Sequence, residues 1–166
     1  MPIPAISQGT PVVPQNTTTG GASAAAGAAE ITPSADAFVC HTGVVDVAAY
    51  VGGFRVLITT AGIIGDLLGT QDGTLVGTLK VQDEDGVTDY SDPMPVCDWS
   101  DPNNNQNPAV GTLLRLKSNS LSGVSIPAGH EARLIWNETG DTGTGGARPK
   151  FRFVGWQLPA VRDEAL

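Results

Sequence analysis

Residues 150–158, Lys-Phe-Arg-Phe-Val-Gly-Trp-Gln-Leu, constrain the fold of this chain more than any other stretch. Bulky and polar side chains alternate along it. Phe151, Phe153 and Gly155 share one face, while Arg152, Val154, Trp156 and Leu158 share the other. A period of two, carried by aromatic and β-branched residues, fits a pleated strand and gives a helix no coherent apolar stripe. Residues 130–136, His-Glu-Ala-Arg-Leu-Ile-Trp, read as a second strand, and the intervening 137–149 are dense in Gly, Thr and Asp. Two strands joined by a Gly-rich loop predict a long-looped antiparallel hairpin, and an all-β body with it.

The rest of the chain agrees with that expectation. It has 166 residues, 21 Gly and 12 Pro but only 16% charged side chains, a mixture that favours short strands and turns over helices. Residues 38–41 and 44–49 read as a first strand or as a strand pair around Gly43, and a further strand is expected at 54–60, where near-continuous apolar character suggests burial on both faces. Residues 63–68 fit either a strand or a helical turn. Gln71-Asp72-Gly73 reads as a turn, and 75–82 as a strand with Leu75, Gly77, Leu79 and Val81 on one side. The polar, proline-punctuated stretch 83–107 reads as a long surface loop. Strands follow at 110–117 and 123–126, the latter leading through the Pro127-Ala128-Gly129 turn. About eight short antiparallel strands at this spacing predict a β-sandwich or jelly-roll-like body over residues 37–166.

Residues 1–36 differ from everything after them. Pro2, Pro4, Pro11, Pro14 and Pro33 punctuate Ala, Thr, Gly and Ser, and the only charged side chains are Glu30 and Asp36. Such a segment cannot bury enough apolar surface to offset the entropy of ordering itself. One reading is a disordered leader. The other is an extended N-terminal arm: prolines bias it toward polyproline geometry, and Ile3, Ile6, Val12, Val13 and Ile31 are small apolar anchors for a partner's groove or sheet edge. Residues 22–29 allow a helical turn or two, weakened by Gly27.

Charge and motifs restrict the chemistry. A net charge of −8 disfavours a phosphate backbone as partner, so no nucleic acid is expected. No apolar run approaches the ~20 residues of a membrane span, and no basic-then-apolar leader marks a signal peptide, so no membrane partner is expected. Asn137-Glu138-Thr139 matches a glycosylation acceptor but, without such a leader, reads as unmodified. Cys40 and Cys97 read as two buried thiols. His41 and His130 lack neighbours at ligand spacing, so no metal or other cofactor is expected. The Asp83-Glu84-Asp85-Gly86 run, with Asp89 and Asp92, invites a calcium hypothesis but departs from the helix-loop-helix spacing, and a solvated acidic loop is the simpler reading. Residues 141–146 are Gly-rich without a following helix and read as a flexible loop tip. No nucleophile with a believable base is present, so no enzyme activity is expected. Trp136 and Trp156 fit core packing, whereas Trp99, among Asp98, Asp101, Pro95 and Pro102, is either an exposed partner-binding anchor or a lid over the sandwich edge.

A Pro/Thr/Ala-rich arm (1–36), strands from Phe38 onward, and Ser125-Ile126-Pro127-Ala128-Gly129 leading into Leu134-Ile135-Trp136 together resemble the cement, or head-decoration, proteins of tailed bacteriophages. The resemblance is one of layout. It implies a structural virion protein on the outer capsid surface, associating with itself as a homotrimer and clamping neighbouring major capsid protein subunits. The arm would make the contacts and the β body the outward knob. The competing expectation is a tail, fibre or baseplate module that reads a cell-surface glycan through Trp99 and the 83–92 loop.

Overall fold

The computed structural model describes residues 17–19, 22–24, 30–35, 38–41, 49–120 and 124–155. Thirteen strands run along it in order: β1 Thr17–Thr19, β2 Ala22–Ala24, β3 Phe38–His41, β4 Ala49–Tyr50, β5 Arg55–Thr60, β6 Asp66–Leu67, β7 Thr70–Gln71, β8 Val76–Asp83, β9 Met94–Asp98, β10 Leu113–Arg115, β11 Ser125–Ile126, β12 Ala132–Thr139 and β13 Lys150–Gly155. Among the described residues there is no α-helix, only a 3-10 turn at Val51–Gly53. The fold is all-β and sandwich-like. A four-stranded antiparallel sheet, β3-β12-β8-β9, and a three-stranded one, β10-β5-β13, contribute their inner faces to one core, with the two-stranded pairs β1-β2, β4-β11 and β6-β7 beside them.

Alternation builds both inner faces. Leu75, Gly77, Leu79 and Val81 on and beside β8 are buried, as their spacing predicts, and Ala132, Leu134 and Trp136 on β12 fill the neighbouring positions. Across from them stand Val56 and Ile58 of β5 with Phe151 and Phe153 of β13. Trp136 meets Phe151 across the gap with ring centroids 6.2 Å apart, and Phe54 meets Phe153 edge-on at 5.2 Å, both within the range of favourable aromatic pairs. Gly77 makes the first contact possible. A Cβ there would overlap the far edge of the Trp136 ring and sit 3.1 Å from Cys97 Sγ. Bare backbone lets the indole lie flat across β8.

Several expectations are corrected. The two best-patterned strands do not form a hairpin: β12 pairs with β8 and β3, whereas β13 pairs with β5 in the other sheet. A loop as long as 140–149 reaches across the sandwich, and pairing both strands with long-range partners buries both apolar faces. Residues 54–60 are not buried on both faces either. Val56 and Ile58 point inward, while Arg55, Leu57, Thr59 and Thr60 remain partly exposed. The stretch 83–107 is not one long loop, because β9 lies inside it with Val96 and Cys97 buried. Pro93 and Pro95 obscured that strand. β9 is the outer strand of its sheet, where a missing N–H costs least, and its register shifts at Gly77/Thr78 opposite Pro95. Residues 22–24 are strand, paired with 17–19, where a helical turn was allowed. The expected strand at 44–48 and the side chains of Val154, Trp156 and Leu158 lie outside the described residues.

The root of the N-terminal segment packs into the body. Ile31 bridges Phe151 on the open edge of β13, its N–H donating to Phe151 O at 2.6 Å and its carbonyl accepting from Phe151 N at 3.1 Å. Ile31 is 4% exposed, and Pro33 is buried beside it in sequence. Glu30 accepts hydrogen bonds from Thr59 Oγ1 at 2.7 Å and Thr60 Oγ1 at 2.9 Å, and lies 3.4 Å from Lys150 Nζ. Residues 30–33 therefore form a clip that adds to this chain's own sheet.

Candidate functional site

Two of the sequence-selected site residues are buried, which for Trp99 agrees with the second of its two expected placements. Ile31 is a core residue and is not free to anchor a partner. Trp99 is fully buried, so it is not an exposed anchor. Its backbone N–H donates to Leu75 O at 2.9 Å, and its indole lies against Gly62, where a Cβ would come within 2.6 Å of Cζ2. Trp99 Nε1 and Asn107 Oδ1 are both buried without a hydrogen-bond partner beside that same glycine. A polar sequence neighbourhood hid this burial: Asp98 and Asp101 turn outward to cap local N–H groups of Ser100 and Asn103 while the indole turns in. Ile3, Ile6, Val12 and Val13 lie outside the described residues.

The acidic stretch is distributed over local partners. Asp83 Oδ1 accepts from Val87 N at 2.7 Å, Glu84 Oε1 lies 2.8 Å from His130 Nδ1, and Asp89 meets Lys80 and Gln82. The His130 hydrogen bond is the leading reason that the Glu84 carboxyl is held below its ordinary range. Among the described residues no three His, Cys, Asp or Glu side chains converge on a common point. Cys97 is a free, buried thiol, pushed up to about 12 mainly by burial, which leaves it an unreactive core group.

The most exposed large apolar side chain among the described residues, Leu68, stands instead at the tip of a short hairpin. β6 and β7 are joined through Leu68 and Gly69, with Leu67 paired to Thr70. Both loop residues have positive φ, 58° at Leu68 and 78° at Gly69, as a two-residue turn of the I′ kind requires. Gly69 suits that geometry. Leu68 does not: a Cβ-bearing aliphatic residue in the left-handed region costs on the order of 1 kcal/mol and is uncommon. Its side chain is 94% exposed, so no packing among the described residues repays the strain. Leu67 at 51% and Ile63 at 58% flank it.

This tip stands on a rigid base. Gly65 N donates to Thr142 O at 2.7 Å and Asp72 N to Gly65 O at 3.0 Å, while Thr144 N donates to Asp72 Oδ1 at 2.9 Å. Ile63 and Ala147 exchange both backbone hydrogen bonds. A Cβ on Gly65 would overlap the backbone of Gly143, so the two loops meet at glycine on glycine. Residues 141–146 are thus a brace for the hairpin, where a flexible tip was expected. Gln71 Nε2 donates to Trp99 O at 3.1 Å and ties the hairpin to the buried tryptophan. Beyond the brace, Glu138 accepts from Arg148 Nε and from Trp136 Nε1, each at 2.7 Å, which fixes both ends of the 139–148 crossing.

Sequence reading missed the tip because 63–68 fitted two conformations equally well. The usable signal was Leu-Leu-Gly between Asp66 and Thr70, an apolar pair set directly before a turn glycine. Comparison of the chain with family models, with curated proteins and with solved structures returned no match.

Proposed function

We propose that this chain is a structural protein of a phage virion. In this reading it binds the outer capsid surface and cements neighbouring major capsid protein subunits, with its N-terminal arm and an oligomeric β body making the contacts. The observation that carries the reading is the braced apolar tip of Leu67 and Leu68, with exposed Ile63 at its base. A rigid projection that presents leucine at backbone cost suits a preformed pocket on a protein surface, where apolar burial and shape give the affinity. It offers a small polar ligand nothing. Residues 1–29, which include the β1-β2 pair beside β3, would add a second attachment, and two linked weak attachments raise avidity without new chemistry. The clip at 30–33 fits this division, because it transmits load from an arm into the sheet through backbone hydrogen bonds.

The glycan-reading alternative depended on Trp99 as an open platform, and a fully buried indole cannot stack on a sugar. The reading is tested by cosedimenting the purified chain with the phage particle whose genome encodes it, followed by electron microscopy of the decorated particle. Density for the β body on the outer head surface, lost for Leu68→Asp, is the expected result. Density confined to the tail, or no association with the particle, overturns the proposal.

A further inference from the structure

The outer face of the three-stranded sheet gathers cations, in a chain whose net charge is −8. Arg115 of β10 stands directly opposite Arg55 of β5, and Leu57 of β5 stands between Leu113 of β10 and Arg152 of β13. Lys117, two residues past the end of β10, lies beside Arg115 along one side of a shallow groove of about 290 Å³. Like charges directly opposite on neighbouring strands repel. Here they are held together all the same: Arg115 Nε donates to Gly52 O at 2.8 Å, and Arg55 Nη1 donates to the same carbonyl at 3.3 Å. Burial and the nearby Arg115 charge both push Arg55 toward its neutral form.

None of Arg55, Arg115, Lys117 and Arg152 makes an ion pair with a described residue. By contrast Lys80, Arg148 and Lys150 are matched with Asp89, Glu138 and Glu30. The chain has nine Lys and Arg against 17 Asp and Glu, so these four cations on one face leave five for the remaining surface. A carboxylate of the chain itself, Asp92, borders the groove from its other side with Pro93, Met94 and Pro95. In the middle of the face Leu113 is 54% exposed beside half-buried Leu57. An apolar centre, cations around it with no ion-pair partner among the described residues, and the chain's net negative charge make this face complementary to the remainder of its own molecule.

We propose that the outer face of β10-β5-β13 docks the acidic surface of a second copy of this chain, head to tail. A symmetric contact is disfavoured by the same charges, because it would bring two faces together that each carry four cations against the single rim carboxylate of Asp92. The contact is therefore heterologous, and copies related by it close into a ring or run on as a filament. This inference does not rest on the virion reading and extends to any setting in which the chain is concentrated.

Sedimentation equilibrium of the full chain at low and high salt tests it, together with the charge-reversed pair Arg115→Glu and Arg152→Glu. Wild type should associate with a strong salt dependence, and the reversed chain should remain monomeric while melting as a folded protein. The pair Lys117→Glu and Arg152→Glu leaves the Arg115–Gly52 bond intact and keeps the test readable if the first variant weakens the fold. Mixing is the sharper arm. A reversed chain keeps its acidic surface but has lost its basic face, so in excess it should cap wild type as a one-to-one complex. A wild type that is monomeric at every concentration and salt overturns the proposal. So does an oligomer indifferent to the reversals, or a reversed chain that fails to join wild type.

Discussion

Leu68 is where a local rule is broken most openly, and the cost is measurable. Positive φ disfavours leucine, whereas asparagine tolerates that region and forms the preferred pair with a following glycine in such turns. Leu68→Asn is expected to raise stability by about 1 kcal/mol in a denaturant titration while weakening attachment to the particle. A variant that is less stable would show that the exposed side chain has packing the structure does not give it. Gly77 is the opposite case, a residue whose absent side chain is used. Gly77→Ala forces the Trp136 ring or the Cys97 side chain to move, which should cost about 1–3 kcal/mol. Trp136→Phe withdraws the ring edge that the new methyl would strike. In a double-mutant cycle it should therefore be less damaging on the Gly77→Ala background than on wild type.

At the scale of elements, the decisive contacts are those that cross between sheets. Glu138 sits at the end of β12 and takes hydrogen bonds from Trp136 on its own strand and from Arg148 at the approach to β13. Burial works to raise the Glu138 carboxyl, but the Arg148 and Trp136 hydrogen bonds outweigh it and the group lies below its ordinary value. A carboxyl lowered in the folded state stabilises the fold fully above the unfolded glutamate range. That contribution is lost as the pH falls through this range toward the lower native value. Thermal melts of wild type and Glu138→Gln should therefore differ at neutral pH and converge in acid. A gap that is the same at both ends would remove Glu138 from the acid response. Individual strands were legible because alternation is local: β8, β12 and β13 fall where their apolar residues recur every second position. Partnership was not legible. The pattern at 150–153 states which face is buried but not which strand lies beside it, and Phe151 found Ile58 and Ile31 rather than a residue of β12. β9 escaped notice because its prolines are tolerable only on an outer strand, and outer position is a property of the assembled sheet. The apolar tip was missed for a similar reason, since exposure at Leu67 and Leu68 depends on the brace from residues 141–146, far away in sequence.

For the whole molecule, the question is where the body stops and the arm starts. Composition changes near residue 36, but packing changes earlier, because Glu30, Ile31 and Pro33 are already joined to β5 and β13 or buried. The difference follows from what each criterion senses. Composition averages over a window, whereas one isoleucine can complete a sheet edge if its backbone meets unpaired N–H and C=O groups there. Two truncations separate the clip from the arm. Removing residues 1–29 keeps the clip, and removing 1–36 deletes it. The longer deletion should be less stable than the shorter by about 2–3 kcal/mol, the transfer free energy of a buried isoleucine plus the loss at the uncovered edge. If the two truncations melt together, the clip contributes nothing and Ile31 is merely resting on the sheet. If they separate as expected, the 30–166 chain becomes the proper reagent for the attachment assay. Loss of particle binding by that chain then reports on residues 1–29, the β1-β2 pair beside β3 included, with the clip and the apolar tip retained.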